Sequence, residues 1–341
     1  MDLMNKYLDE ALLQKNKNNI QDFKEIIEKD FSIFIGAGVS NQGLQKWYGC
    51  VKNISVDCKI KIREEKNASI KYLKLHIDKL INMNFENYET SLKKHFNKFF
   101  PFNRKLIDDI LLSKANYIIT TNFESDIIDK IEKFGKQHKG IEIFVYPNLF
   151  NIFKSHKNTN RPKVMYIHGC ISDNEEYKTP TQELVFGFRT FEKAYNESIL
   201  PIIIKYILTT ENTLFYGFNI FEENILKIIE TSNIIIQKLI DYNNKYNYKD
   251  RQKYISRYYI TSMESIIKKI KESDIRLKKK SDIQNRIREE IRRYETLCIK
   301  LLLFENFDLA DQFIINEFEN INLKHKNRSR SLAKENDIPE I

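Results

Sequence analysis

Seven short runs of β-branched and aromatic residues, all but the third set off from the next by a helical pattern, constrain what this 341-residue chain can fold into. They are Phe31–Ile35, Tyr117–Thr120, Ile141–Val145, Val164–Ile167, Thr213–Tyr216, Arg257–Ile260 and Cys298–Phe304. Such short apolar runs read as buried strands. Strands of this kind interleaved with helices build a parallel sheet covered on both faces. Helical patterns are expected over 4–28, in several pieces over 64–112, and then near 125–134, 190–209, 222–240, 263–295 and 308–319. Within 64–112, Ile70, Leu73, Ile77 and Leu80 form one apolar stripe, and Leu106, Ile107, Ile110 and Leu111 another. No internal repeat is visible.

Composition narrows the class. Hydrophobic residues at 42% and charged residues at 30% are ordinary for a soluble globular chain. The net charge of +9 gathers late, in Arg276 and Lys278–Lys280 and in a basic tail over 321–341 that is expected to be disordered. No nucleic-acid motif accompanies that charge, so direct nucleic-acid binding is not expected. The four cysteines, Cys50, Cys58, Cys170 and Cys298, form no C-x-x-C pair, so neither a zinc ribbon nor a thioredoxin-type motif can be read. Met1–Glu10 is too polar for a signal peptide. The longest apolar candidate, Ile199–Leu208, is interrupted by Pro201 and Lys205 and falls short of the roughly 20 residues that span a bilayer. A reduced, cytoplasmic protein with no membrane contact is expected.

In open parallel sheets the ligand lies outside the C-terminal ends of the strands, and three loops there carry unusual residues. Gly36-Ala37-Gly38 directly follows the first strand. Glycines there let the backbone turn sharply and bring N–H groups close to a diphosphate, although Asn41 stands where the G-x-G-x-x-G fingerprint has its third glycine. Asn122 lies just past the second strand, where its amide can hold a water or a ribose hydroxyl, or else cap the following helix. His168, before Gly169 at the end of the fourth strand, can serve as a base near neutral pH or be an ordinary loop histidine. The three at one sheet edge favour a shared ligand site.

These residues resemble the sirtuin (silent information regulator) family. The resemblance rests on Gly36-Ala37-Gly38-Val39-Ser40 with Gly43 and Trp47 downstream, Thr121-Asn122-Phe123-Glu124, His168-Gly169, and Tyr216-Gly217-Phe218-Asn219, and it covers roughly residues 18–320. It implies an α/β, Rossmann-like parallel sheet with helices on both faces over residues 1–320. A helical insertion would fill 48–112 and a charged helical segment 263–297. The cysteine pairs of zinc-dependent sirtuins are missing, so no zinc module and no metal are expected. Glu124 stands where many relatives have Asp. The zinc-less pattern is similar to bacterial sirtuin-like effectors of anti-phage defence.

The resemblance implies NAD as substrate, cleaved at the nicotinamide–ribose bond to nicotinamide and ADP-ribose, with hydrolysis and cyclisation not distinguished. It implies His168 as base or ribose-hydroxyl partner and Asn122 as the residue that positions water and the nicotinamide ribose. Gly36, Ala37, Gly38 and Ser40 would cradle the diphosphate, Thr121 and Glu124 would add polar contacts, and Gly217 and Asn219 would line the adenosine side. Glu222 and Glu223 read instead as a solvated first helical turn. An enzyme that destroys NAD needs restraint, so a homo-oligomer and an activating protein or nucleotide signal are expected. The alternative is a non-catalytic NAD- or nucleotide-sensing subunit of a defence complex.

Overall fold

The computed structural model describes residues 3–39, 47–62, 70–96, 104–133, 140–154, 161–245, 255–273 and 279–335. All seven expected strands form: β1 (Phe31–Ile35), β2 (Ala115–Thr120), β3 (Glu142–Val145), β4 (Lys163–Tyr166), β5 (Asn212–Tyr216), β6 (Arg257–Ser262) and β7 (Ile299–Phe304). They make one sheet in the order β3-β4-β2-β1-β5-β6-β7, and each neighbouring pair is parallel. The chain leaves β1 toward β2 on one side but leaves β5 toward β6 on the other. That reversal opens a crevice between the C-terminal ends of β1 and β5. Ile35 pairs level with both Thr120 and Tyr216, and Thr120 with Tyr166, so the loops after β1, β2, β4 and β5 emerge side by side.

Helices α1 (Leu3–Tyr7) and α2 (Glu10–Ile27) precede β1, and α3 (Trp47–Asp57), α4 (Ile70–Met83), α5 (Phe85–Phe96) and α6 (Arg104–Leu112) lie between β1 and β2. Then α7 (Asp126–Lys133) follows β2, α8 (Phe188–Glu192) and α9 (Leu200–Thr210) lead into β5, and α10 (Glu223–Lys245) leaves it. Helices α11 (Met263–Ser273) and α12 (Lys280–Thr296) join β6 to β7, and α13 (Phe307–Glu335) closes the described chain.

The two-residue period of the strands sorts their side chains into two cores. Phe34, Ile119, Met165 and Phe215 face α9, α10, α11 and α12 on one side. Phe31, Ile33, Ile35, Ile118, Val164 and Leu214 face α2, α6, α7 and α13 on the other. Each fully buried side chain of this kind contributes about 1.5–3 kcal/mol. A third cluster joins α3, α4 and α5 to Phe123, Ile171, Leu184 and Phe186, so these helices form a cap on the C-terminal sheet edge. Helix α6, expected as part of the same insertion, instead places Leu106, Ile107, Ile110 and Leu111 beneath the sheet.

Three helical expectations needed revision. The first helix is interrupted at Leu8-Asp9, because the Asp9 carboxylate accepts from the Leu12 N–H at 2.8 Å and caps a second helix. The segment near 190–209 is α8, a π-helical turn over Lys193–Glu197, and then α9, with Pro201 in its first turn, where proline is tolerated. The closing helix, expected to stop near 319, runs to Glu335 through part of the supposed disordered tail, whose Lys, Arg, Ser and Ala sequence contains no helix breaker before Pro339. Among the described residues, no helix is long and apolar enough to cross a membrane.

The outer edge of β7 is covered by two side chains of α2, Asn19 donating to the Leu301 carbonyl at 2.9 Å and Asn16 making the larger contribution. Asn16 on α2 donates to the Leu303 carbonyl at 2.9 Å and accepts from the Leu303 N–H at 2.8 Å, as a neighbouring strand would. Asn16→Ala leaves both buried backbone groups without these bonds. It is expected to lower the unfolding free energy by about 2 kcal/mol in urea denaturation.

Candidate active site

The glycine loop is fixed by its contact with the loop after β5. Gly36 N–H donates to Tyr216 O at 3.0 Å and Gly38 N–H to Gly217 O at 2.9 Å. A Cβ at Gly36 would lie 2.3 Å from Gly217 O and 2.5 Å from Phe218 Cα, and one at Gly38 would lie 2.8 Å from Gly217 Cα. Gly217 itself takes φ 60°, the left-handed region that favours glycine. The glycines therefore let two backbones touch. This adds a role to the expected one: the N–H groups of Gly36 and Gly38 are engaged by carbonyls of the loop after β5. Ala37 lines the adjoining cavity, while Ser40 and Gly43 lie outside the described residues.

That cavity, about 300 Å³ in volume, is walled by the loops after β1, β2, β4 and β5 and by the α3–α5 cap. It brings together Ala37, Thr121, Asn122, Glu124, His168, Gly217 and Asn219 from the expected set. Asn219 stays exposed, and its Oδ1 accepts from the Phe221 N–H at 3.2 Å, which shapes the turn into α10.

His168 is buried among rings. Phe191 stands edge-on at 5.1 Å between centroids, and Phe123 lies at 6.4 Å. Its Nε2 is 2.8 Å from the Tyr195 hydroxyl, which is carried by the π-helical turn. Its backbone carbonyl accepts from the Val185 N–H at 2.9 Å, so both ends of the residue are held. Burial, with Lys74's charge behind it, pushes the His168 pKa down to about 3. Burial also raises Tyr195 well above the usual phenol value. The pair is thus neutral at physiological pH, whichever partner donates.

Asn122 does not cap a helix, since α7 begins at Asp126. Its N–H donates to Thr120 Oγ1 at 3.0 Å, and its Oδ1 is buried without a hydrogen-bond partner. Glu124 Oε2 is likewise buried without one. Two buried acceptors without partners on one cavity wall fit a polar ligand, because leaving such atoms unpaired is costly. Burial, reinforced by Asp126, pushes the Glu124 carboxyl from its ordinary 4.5 up to about 7.

Between about 4.5 and about 7 the folded chain holds a proton on Glu124 that the unfolded chain has released, so this group's contribution to stability falls as pH rises through that window. Glu124→Gln removes the effect. The difference in thermal unfolding midpoint between variant and wild type should shift in the variant's favour from below this window to above it.

Several site residues escaped sequence reasoning. Lys74 on α4 is buried, with its ammonium 2.9 Å from Glu222 Oε1 and 3.3 Å from the centre of the Phe191 ring. Glu222 is no solvated turn, since its Oε2 accepts from the N–H groups of Asn224 and Ile225 at 3.1 and 3.2 Å and caps α10. Glu223, exposed and paired with Lys227, does match the solvated expectation. Cys50 reaches the cavity from α3, its thiol pushed up to about 12 by burial and by Glu124, and so it stays protonated. Phe96, Phe186 and Phe218 complete the apolar wall. Among the described residues no group of three or more His, Cys, Asp or Glu side chains is placed to hold a metal ion.

Residues 116–263 match the family model of the SIR2-like domain. The match takes in Asn122, Glu124, His168, Gly217, Asn219 and Glu222, while the glycine loop and Lys74 lie outside it. No curated protein matches the chain.

Proposed function

The chain is sirtuin-like, carrying a SIR2-like domain, and on that premise we propose that it is an NAD hydrolase releasing nicotinamide and ADP-ribose. SIR2-like domains use NAD. The observation that carries the proposal is the convergence of a neutral, buried His168 with the unpaired Asn122 Oδ1 on one cavity at the β1/β5 crevice.

The chemistry asks little proton transfer of the protein. Nicotinamide leaves with the bonding electron pair, which neutralises its ring cation, so no acid is required. The barrier is the oxocarbenium-like ribose. Water then forms the new C–O bond, and the resulting oxonium sheds a proton. That oxonium is far more acidic than imidazolium, so a histidine with a pKa of about 3 still accepts the proton. Asn122 Oδ1 is placed to orient the water or a ribose hydroxyl. Phe96, Phe123, Phe186 and Phe191 exclude bulk solvent and strengthen every charge interaction inside the cavity. The zinc-less pattern supports extending this proposal to a regulated effector of anti-phage defence, held inactive until an activating protein, a nucleotide or oligomer assembly releases it.

Nicotinamide release from NAD by the purified chain, alone and with lysate of phage-infected cells, tests the proposal. Release in either condition supports it. Tight NAD binding with no release in both would leave the sensing-subunit alternative.

A further inference from the structure

We propose that Lys74 receives the anionic group of the ligand, and that Glu222 is the counter-ion it gives up to do so. The proposed NAD chemistry supplies only the identity of that anion, a nucleotide diphosphate; the cation and its release mechanism stand on the geometry.

Lys74 is the one lysine or arginine among the described residues that line the cavity. Glu124 and Glu222 line the same cavity, so among the described residues Lys74 is what offsets carboxylate charge there. The N–H groups of Gly36 and Gly38 are bonded to carbonyls, so neither of these two is turned toward an anion. Burying an ion pair is a poor route to stability, since the desolvation of two charges offsets their attraction. The side chains of Lys74 and Glu222 retain only 10% and 13% of their exposure, so a purely structural role would be better met by an apolar residue.

The Glu222 carboxylate is anchored independently of the lysine. One oxygen accepts from two N–H groups at the start of α10, a 23-residue helix whose N-terminus favours negative charge. When the ammonium swings to a phosphate oxygen, Glu222 keeps its helix contacts and stays in place. The ammonium lies over the Phe191 face, and Phe191 in turn packs on His168. An anion held by Lys74 therefore sits within the neighbourhood of the histidine. The four-carbon stem of lysine gives the compact charge the reach for this exchange. Lys74 is carried by the α4 cap, so the cap supplies the binding charge while the sheet loops supply Asn122 and His168.

Calorimetric titration of the full chain with inorganic pyrophosphate and with ADP-ribose decides the matter, using wild type, Lys74→Met and Glu222→Gln. Lys74→Met should weaken both ligands by about tenfold or more, the loss of one charge-assisted contact. Glu222→Gln should tighten both, because it removes the competing carboxylate and leaves the lysine free. If the ion pair served structure alone, both substitutions would weaken binding or neither would change it. Circular dichroism establishes that each variant is folded. Should Lys74→Met not fold, the direction of the Glu222→Gln effect decides. Pyrophosphate binding that is absent in wild type, or equal in wild type and Lys74→Met, overturns the proposal. Pyrophosphate binding through Lys74 with no nicotinamide release, either alone or with lysate of phage-infected cells, would instead overturn the NAD hydrolase assignment and leave Lys74 in place.

Discussion

His168→Ala is expected to lower nicotinamide release from NAD by about 10²–10⁴-fold, the usual contribution of a positioned general base. The side chain is held at Nε2 by the Tyr195 hydroxyl and through its backbone by Val185, so it meets the substrate in one orientation. Its removal leaves the Tyr195 hydroxyl without this partner, at a cost of about 1–3 kcal/mol, so the variant should unfold at lower temperature yet remain folded when assayed. The pH profile gives a second readout. Because the imidazole titrates near 3 rather than 6.5, the kcat of wild type should show no inflection near 6.5 that His168→Ala removes. Such an inflection would mean that His168 is solvated during turnover. A folded His168→Ala chain with wild-type turnover would remove the catalytic assignment.

Gly36→Ala is expected to be the most damaging single methyl group in the site. Its Cβ meets backbone atoms, Gly217 O at 2.3 Å and Phe218 Cα at 2.5 Å, and neither can rotate away as a side chain would. Relief requires the loops after β1 and β5 to part, which breaks the bonds Gly36 N–H to Tyr216 O and Gly38 N–H to Gly217 O. Overpacking of this kind costs about 1–3 kcal/mol, and the two lost bonds add to it. Gly217, Asn219 and Ala37 move with those loops, so NAD turnover should fall by about 10²-fold even at temperatures where the variant is folded. Gly38→Ala, with its nearest approach at 2.8 Å, should be milder. Thermal unfolding and nicotinamide release, measured on both variants, would rank them. Equal effects would argue against loop contact as the cause.

The strands were legible because an apolar run bounded by polar helices has few other uses. Asn122 and His168 were legible because strand ends are where such sheets bind ligands. What position along the chain could not convey was which strands are neighbours, and hence that the loops after β1 and β5 touch. That contact gives the glycines a further meaning, the approach of one backbone to another. Lys74 was invisible for a different reason. In the sequence Tyr72-Leu73-Lys74-Leu75-His76-Ile77 a lysine reads as the wet side of an amphipathic helix, and only the docking of α4 on α8 turns it inward. There Asp78, one turn further on, accepts from the Arg189 N–H at 3.0 Å and holds the two helices together. Tyr195 pairs with His168 from 27 positions further along the chain, a separation that no local pattern encodes.

The π-helical turn over Lys193–Glu197 makes the path of the backbone part of the chemistry. A turn of this kind holds one residue more than an α-helical turn. Tyr195 lies within it, stacked on Phe191 at 6.0 Å with the planes 9° apart, and both rings face His168. If the same residues wound as ordinary helix, at about 100° per residue, the tyrosine would be carried around the axis relative to Phe191. The phenol would then leave the imidazole even though every side chain of the cavity was still encoded. In this stretch the winding of the backbone is as strict a requirement as the identities of the side chains.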